Sequence, residues 1–143
     1  MRRLSLALIA SLPAEIGVLR RSIDDLGEAG EARDAGEHRG TPGAWMGRLE
    51  GLEVAILLTG LGALRAEENV SALLGELEID RALTVGFGGG LSESLGPGDL
   101  LVAREVVSLA DPGAAFTSDP VLFDLAHGLP DPPCQLSSGR VVT

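Results

Sequence analysis

Three short segments of the sequence contain residue types suited to chemistry on a small molecule. Glu15 lies a few residues after the apolar run LSLALIA (4–10), where a carboxylate can accept a proton as a general base. Two glycine-rich segments, TGLG (59–62) and GFGGG (86–90), each follow another apolar run. Glycine permits positive φ and lets a ligand approach bare backbone. These segments predict a site where a carboxylate and open backbone face one ligand.

Each of these features also has a plainer structural explanation. A glutamate in the first turn of a helix is stabilised by the helix dipole whether or not it reacts. A single glycine segment is typical of a tight turn. Neither segment completes the dinucleotide pattern G-x-G-x-x-G, because Arg65 and Leu91 replace its third glycine, and the chain has no P-loop. Convergence of the three segments at one edge of a parallel sheet is what favours a site.

Apolar runs predict the strands that would position these segments. The run at 4–10 is continuously apolar, as in a central strand covered on both faces, and the run at 81–87 is expected to be buried as well. Two further runs flank Glu50 and Gly51, which is typical of a hairpin. The predicted strands are LSLALIA (4–10), AWMGRL (44–49), LEVAILL (52–58), RALTVGF (81–87), DLLVAREVVSL (99–109) and GRVVT (139–143).

Helical spacing predicts three helices between these strands. The first is expected to be capped by Ser11, to carry Pro13 in its first turn and to bury Ile16, Leu19, Ile23 and Leu26. The second begins in TGLGALRAE and buries Ala66, Val70, Leu73, Leu74 and Leu77. The third begins near Asp119-Pro120, buries Leu122 and Leu125 and ends at Gly128. The polar stretch 27–43 is expected to be a mobile connection, and the alternation of strands and helices predicts an α/β fold.

The composition argues against several classes of function. A chain of 143 residues with a formal net charge of −10 fits one domain that binds neither nucleic acid nor an anionic membrane. Cys134, the single cysteine, has no internal disulfide partner, which indicates a reducing, cytoplasmic compartment. The first 15 residues imitate a signal peptide, but the short apolar run without an A-x-A site favours a buried strand. No membrane span, metal or cofactor is expected.

Three stretches of the chain resemble the successive motifs of the nucleoside phosphorylase and nucleosidase superfamily. They are LALIASLPAEIGVLR, LEGLEVAILLTGLGALRAE and LTVGFGGGLSESLGPGDLLVAREVV. The likeness is strongest to the methylthioadenosine/S-adenosylhomocysteine nucleosidase branch and covers nearly all of the chain. It implies a three-layer α/β fold with a mixed central sheet and flanking helices. It also implies hydrolysis of the N-glycosidic bond of a purine nucleoside and assembly into a homo-oligomer.

The resemblance implies roles for individual residues. In the family, the last carboxylate of an acidic stretch after the first strand activates the attacking water, and this carboxylate falls on Glu15. The two preceding acidic positions are Pro13 and Ala14 here. The nucleoside would be bound by Gly60, Leu61, Gly62, Phe87, Gly88 and Gly89. Phe87 departs from the small or hydroxyl residue that the family often has, which puts the identity of the nucleoside in question.

Hydrolysis is favoured over phosphorolysis by the same residues. Phosphate as the nucleophile needs cationic partners. Related phosphorylases have Arg-Val-Gly where this chain has Thr84-Val85-Gly86, and Glu15 would repel phosphate. Arg65 is a candidate phosphate ligand, although a solvated helix residue is the plainer interpretation. A phosphate-dependent nucleoside phosphorylase stays open as the alternative reaction.

The resemblance also bears on how much of a family domain this chain represents. Family members continue past the point that matches Thr143, with a Met-Glu pair that grips the ribose hydroxyls and an aspartate that protonates the leaving base. Residues 1–143 are therefore expected to be the N-terminal portion of one such domain, with the activity belonging to the complete protein. A catalytically incomplete nucleoside-binding or partner-dependent protein, and a scaffold whose glycines are only turns, are the other interpretations.

Overall fold

The computed structural model describes residues 2–28, 43–111 and 113–143. They form two compact units, Met1–Gly88 and Gly89–Thr143, each with its own sheet. The stretch predicted as a mobile connection, 27–43, contributes its ends to two strands, and the rest of it lies outside the described residues. Among the described residues, no helix is both long enough and apolar enough to cross a membrane.

The first unit contains a mixed sheet with strand order β2-β3-β4-β1-β5. Its elements are β1 (Arg2–Ala10), α1 (Pro13–Arg21), β2 (Asp24–Glu28), β3 (Gly43–Leu49), β4 (Leu52–Leu58), α2 (Ala63–Glu76) and β5 (Leu77–Thr84). Strands β4, β1 and β5 are parallel to one another, whereas β3 is antiparallel to both of its neighbours, β2 and β4. The hairpin of β3 and β4 is confirmed, as is the α/β fold with a mixed central sheet.

The parallel strands end level with one another. Ala10 of β1 pairs with Leu58 of β4, and Ile9 pairs with Thr84 of β5. The ladder then extends by one bond on each side, because Thr59 N–H donates to the Ala10 carbonyl at 2.9 Å and Val85 N–H donates to the Ile9 carbonyl at 2.8 Å. The segments that follow β1, β4 and β5 consequently leave the sheet at the same edge.

Helices cover the two faces of this sheet, which gives the first unit three layers. On one face, Ile16 and Leu19 of α1 pack in a core cluster with Leu8, Ala10, Val54, Ile56 and Leu58. On the other face, Val70 and Leu73 of α2 pack with Leu4, Ala7, Ala55 and Leu57. Val54 and Ile56 are fully buried, as the continuous apolar run of β4 requires when both faces are covered.

Two predictions about the helices of the first unit were wrong in detail. The spacing predicts that Ile23 and Leu26 belong to the apolar stripe of α1, but α1 ends at Arg21. Both side chains still pack in the same core cluster, although they follow the helix. Periodicity alone does not reveal this end, since both residues are still apolar and still packed. Leu74 of α2 is 52% exposed, and Leu77 already belongs to β5.

Strand β5 is exposed over most of its length, although its sequence predicted a buried strand. It begins at Leu77, earlier than predicted, and only Leu77 is buried. Ile79 packs partly against the cluster under α2, whereas residues 80–84 are exposed. The reason is position: β5 is the last strand in the order of this sheet, so only β1 flanks it.

The second unit contains a smaller sheet with strand order β7-β6-β8. Its elements are β6 (Leu100–Val107), β7 (Ala115–Thr117), α3 (Pro120–His127) and β8 (Leu136–Val142). The predicted start of α3 is confirmed, because the Asp119 carboxylate caps it by accepting from Leu122 N–H at 2.9 Å. Leu125 is 66% exposed rather than buried, and β8 begins three residues before the predicted strand start at Gly139.

Candidate active site

Glu15 lies at the third position of α1, and its carboxylate closes the N-terminus of that helix. Its Oε2 accepts hydrogen bonds from the backbone N–H groups of Ser11 and Leu12, both at 2.8 Å. Ser11 was predicted to cap this helix, which is wrong, since the N-cap residue is Leu12 and has no side-chain acceptor. The carboxylate therefore performs from inside the helix the task that a capping side chain usually performs.

The other oxygen of the same carboxylate connects α1 to the segment after β5. Glu15 Oε1 accepts a hydrogen bond from the backbone N–H of Phe87 at 3.2 Å, across 72 positions of sequence. Gly86 stands directly against it, because a Cβ built on Gly86 would lie 3.2 Å from Oε1. A helix cap needs no such partner. Glu15 is therefore held between the ends of two parallel strands, in a half-buried position.

The two carboxylate oxygens differ in the acceptor capacity that the protein leaves them. Each oxygen of an ionised carboxylate has about two acceptor sites. The two backbone N–H groups fill those of Oε2. Oε1 accepts from Phe87 alone among the described residues. Oε1 is thus the oxygen that can still accept a hydrogen bond from a water or hydroxyl at this edge of the sheet.

The first glycine segment is fixed by a buried threonine. Thr59 is 3% exposed, and its hydroxyl donates to the Gly60 carbonyl at 3.0 Å. Gly60 and Gly62 have φ values of +73° and +106°, so this segment needs glycine for its backbone conformation. Between them, Leu61 is 68% exposed. The segment therefore exposes the apolar side chain of Leu61 on a backbone that the buried Thr59 hydroxyl holds by a hydrogen bond.

The second glycine segment has a different geometry. All of residues 86–90 are described, and none has a positive φ, so the expectation that glycine supplies positive φ is wrong for this segment. Phe87 is 77% exposed, and a Cβ built on Gly88 or Gly89 would meet no atom within 4 Å. Residues 86–88, which belong to the first unit, consequently offer open backbone next to Glu15, and the Phe87 side chain is exposed.

Comparison with known proteins places this chain in a family. The model of the phosphorylase superfamily matches residues 5–139, which is nearly the whole chain. The chain belongs to the phosphorylase superfamily. The resemblance inferred from the three sequence stretches is thereby confirmed.

Relatives of known sequence in this superfamily include nucleosidases. The 5'-methylthioadenosine/S-adenosylhomocysteine nucleosidase of Geobacillus thermodenitrificans is 33% identical over 101 residues, which are 71% of this chain and 39% of that protein. The enzyme of the same name from Anoxybacillus flavithermus is 28% identical over 104 residues, or 73% of this chain and 41% of that protein. The alignments thus span about two fifths of the length of these relatives.

Solved structures of nucleosidases share the fold of this chain. The Neisseria meningitidis 5'-methylthioadenosine/S-adenosylhomocysteine nucleosidase, in complex with methylthio-immucillin-A, matches with a TM-score of 0.81 at 21% identity and covers 100% of this chain and 64% of that chain. The Colwellia psychrerythraea nucleosidase, in complex with adenine, matches with a TM-score of 0.80 at 22% identity, over 98% of this chain and 62% of that chain. These matches confirm the predicted nucleoside phosphorylase-like fold.

Within this superfamily member, the structure brings part of the predicted site together. Glu15 touches the second glycine segment directly through Phe87. The first segment joins the same edge through Thr59, whose N–H is bonded to Ala10 at the end of β1. Gly88 ends the first unit and Gly89 begins the second. In the described part of the chain, no group of three or more His, Cys, Asp or Glu side chains is arranged to hold a metal.

Sequence reasoning missed one side chain that bears on this edge. Asn69, on α2, donates from Nδ2 to the carbonyl oxygen of Thr59 at 3.0 Å. Asn69 is half-buried, and it is the one position in the stripe of α2 that is polar where an apolar residue fits the spacing. A polar residue within an apolar helical stripe is the signal that would have found it.

Proposed function

We propose that the complete protein to which this chain belongs hydrolyses the N-glycosidic bond of a purine nucleoside, with Glu15 as the general base. The observation that carries this proposal is the set of three backbone hydrogen bonds, from Ser11, Leu12 and Phe87, which holds the Glu15 carboxylate while one acceptor site of Oε1 stays open. The names of relatives support the same reaction, since two proteins of similar sequence are named as nucleosidases.

The reaction assigns a single proton transfer to Glu15. As the oxygen of a water forms a bond to the anomeric carbon of the ribose, the bond from that carbon to the base nitrogen breaks. The base leaves with the electron pair of that bond and takes up a proton from an acid. The proton released by the water goes to Oε1 of Glu15, and a base in this role typically contributes ~10²–10⁴ in rate.

The nucleoside is proposed to lie against the two glycine segments. Leu61 and Phe87 are 68% and 77% exposed, so each has apolar surface to cover with the sugar or the base. Gly88 has open space where a side chain would be, which lets the ligand approach its backbone. Gly60 and Gly62 keep Leu61 in place through their positive φ values.

The proposal concerns the complete protein, since this chain matches about two fifths of the length of its curated relatives. Residues 1–143 then form the N-terminal portion of one domain, and the ribose clamp and the acid for the leaving base lie elsewhere in the protein. A homo-oligomer in the cytoplasm, with Cys134 as a free thiol, completes the proposal. Nucleic acid is not among the proposed partners, because the net charge of −10 repels a polyanion.

Product analysis with and without phosphate tests the reaction type. The protein at its native length is incubated with methylthioadenosine, S-adenosylhomocysteine, adenosine and inosine, and the sugar product is identified by mass spectrometry. Hydrolysis predicts a sugar product with a free anomeric hydroxyl, formed at a rate independent of added phosphate. A sugar 1-phosphate product that requires phosphate would instead establish phosphorolysis, and Arg65, which is exposed in the first turn of α2, would be the first cation to replace. No cleavage of any nucleoside would contradict the proposal.

A further inference from the structure

Asn69 occupies a position in α2 where its residue type has a cost. It is the seventh residue of a helix that begins at Ala63, and it is half-buried. Asparagine is a weaker helix former than alanine by up to about 0.7 kcal/mol, and a half-buried amide also needs hydrogen-bond partners. The position therefore requires an explanation other than helix formation.

The contact that Asn69 makes provides this explanation. Side chains on a helix tilt toward its N-terminus, and the Asn69 amide extends past the beginning of α2 to the carbonyl of Thr59, ten residues earlier. That carbonyl belongs to the peptide unit joining Thr59 to Gly60, at the start of the first glycine segment. The amide thus holds the segment from the side of the helix.

The other polar groups of Thr59 hold the same segment from the side of the sheet. Its N–H donates to the Ala10 carbonyl at 2.9 Å, and its hydroxyl donates to the Gly60 carbonyl at 3.0 Å. With the Asn69 bond, the N–H, hydroxyl and carbonyl of this 3% exposed residue are all hydrogen-bonded. The turn from β4 into α2 is therefore tied both to α2 and to the strand that precedes Glu15.

We propose that Asn69 is a positioning residue for nucleoside binding, which acts by fixing the Thr59–Gly60 peptide and so the place of Leu61 in the pocket. This inference rests on the proposed function for its ligand and adds a residue that touches no substrate. Removing the donor leaves the Thr59 carbonyl without its partner, and the segment then samples other positions. The expected effect is on KM rather than on kcat, because Glu15 has its own contacts.

The test compares two variants that add the same charge to the same helix. Asn69→Asp keeps the shape of the side chain and loses the N–H donor, whereas Ser71→Asp places a carboxylate on an exposed position two residues further along α2. In the protein at its native length, Asn69→Asp is expected to raise KM about tenfold with kcat within about twofold. Ser71→Asp is expected to change neither. Asn69→Ala separates loss of the donor from added charge and should raise KM in the same direction.

Amide hydrogen exchange provides a readout that needs no substrate. Peptides covering residues 59–64 are expected to exchange about tenfold faster in Asn69→Asp than in Ser71→Asp, with β1 unchanged in both. Unchanged KM in a folded Asn69→Asp protein, or an equal loss of kcat, would overturn the positioning role while leaving the proposed function in place. If the unaltered protein cleaves no nucleoside, the proposed function fails, and equal exchange in the two variants would then overturn the role of Asn69 independently.

Discussion

The two glycine segments, 59–62 and 86–90, have similar composition and begin at the same edge of the first unit's sheet, yet they need glycine for different reasons. In the first, Gly60 and Gly62 adopt positive φ values. In the second, residues 86–90 all have φ values that other residues adopt, and Gly86 instead leaves room for the Glu15 carboxylate. Glycine is thus a requirement of conformation in one segment and of space in the other.

The segments also differ in what holds them. The first is held by hydrogen bonds from the hydroxyl of buried Thr59 and from the amide of Asn69 on α2. The second depends on Glu15 itself, whose Oε1 accepts from Phe87 N–H. Changes in the first segment should therefore act mainly on stability and ligand affinity, whereas changes in the second should leave stability nearly unchanged and act on the reacting carboxylate or on nucleoside binding. Four substitutions test this distinction, two by the free energy of unfolding and two by steady-state kinetics.

Gly62→Ala is expected to be the most destabilising of the four. Gly62 has φ +106° and ψ 138°, a region almost closed to residues with a Cβ, although a Cβ there would meet no atom within 4 Å. The free energy of unfolding in urea should fall by about 2–3 kcal/mol, through backbone strain alone. A loss below about 0.5 kcal/mol would show that the segment relaxes freely, and it would contradict the claim that the first segment needs glycine for its backbone conformation.

Thr59→Val is expected to have the next largest effect. Valine keeps the shape of this buried side chain but loses the hydroxyl that donates to the Gly60 carbonyl. The expected loss is about 1–2 kcal/mol in urea unfolding, because a buried acceptor loses its partner. Thr59→Ser, which retains the hydroxyl, serves as the control for the hydrogen bond. Because valine keeps the packing, a loss below about 0.5 kcal/mol in Thr59→Val would contradict a stabilising role for this hydrogen bond.

Gly86→Ala is expected to affect the reaction more than the fold. Its φ is not positive, so the new methyl group costs less than about 1 kcal/mol in stability. However, the methyl group would lie 3.2 Å from Glu15 Oε1 and should displace it, which lowers kcat by about tenfold or more. Steady-state kinetics at saturating nucleoside checks this expectation. A normal kcat with reduced stability would mean that Gly86, like the glycines of the first segment, serves the fold and not the reacting carboxylate.

Gly88→Ala is expected to leave stability within about 0.5 kcal/mol, because its Cβ would meet open space. If the nucleoside lies against this backbone, the added methyl group should raise KM by roughly tenfold. An unchanged KM would mean that the ligand does not approach Gly88, and the proposed pocket would shrink to the neighbourhood of Glu15 and Leu61.

Part of this arrangement is predictable from the sequence, because it depends on local pattern. The apolar runs before Glu15, Thr59 and Gly86 predict strands, and parallel strands bring their ends to one edge. The conformation of the glycines is not predictable in this way. Gly86 provides room for a carboxylate 71 positions away, whereas Gly60 adopts a positive φ, and the sequence shows only glycine at both positions.

The elements that were predicted wrongly depend on long-range contacts. Ile23 keeps helical spacing with Ile16 and Leu19, yet it follows the end of α1, since the core accepts an apolar side chain from either conformation. The apolar letters of β5 do not reveal that it is the last strand of its sheet. The position of Asn69 is marked by its polar type within an apolar stripe, but its hydrogen-bond partner, a carbonyl ten residues earlier, follows no short repeat.

The rate of the Glu15→Gln variant tests the central claim most directly. Glutamine keeps the shape of the side chain and an acceptor oxygen but cannot take a proton from water. Measured in single turnover on the protein at its native length, the rate of cleavage should fall by ~10²–10⁴, with nucleoside binding retained. Glu68→Gln, which removes an exposed charge from α2, should retain the full rate. A Glu15→Gln protein that is folded and cleaves at the unaltered rate would contradict the account, and Glu15 would then be a helix cap and no more.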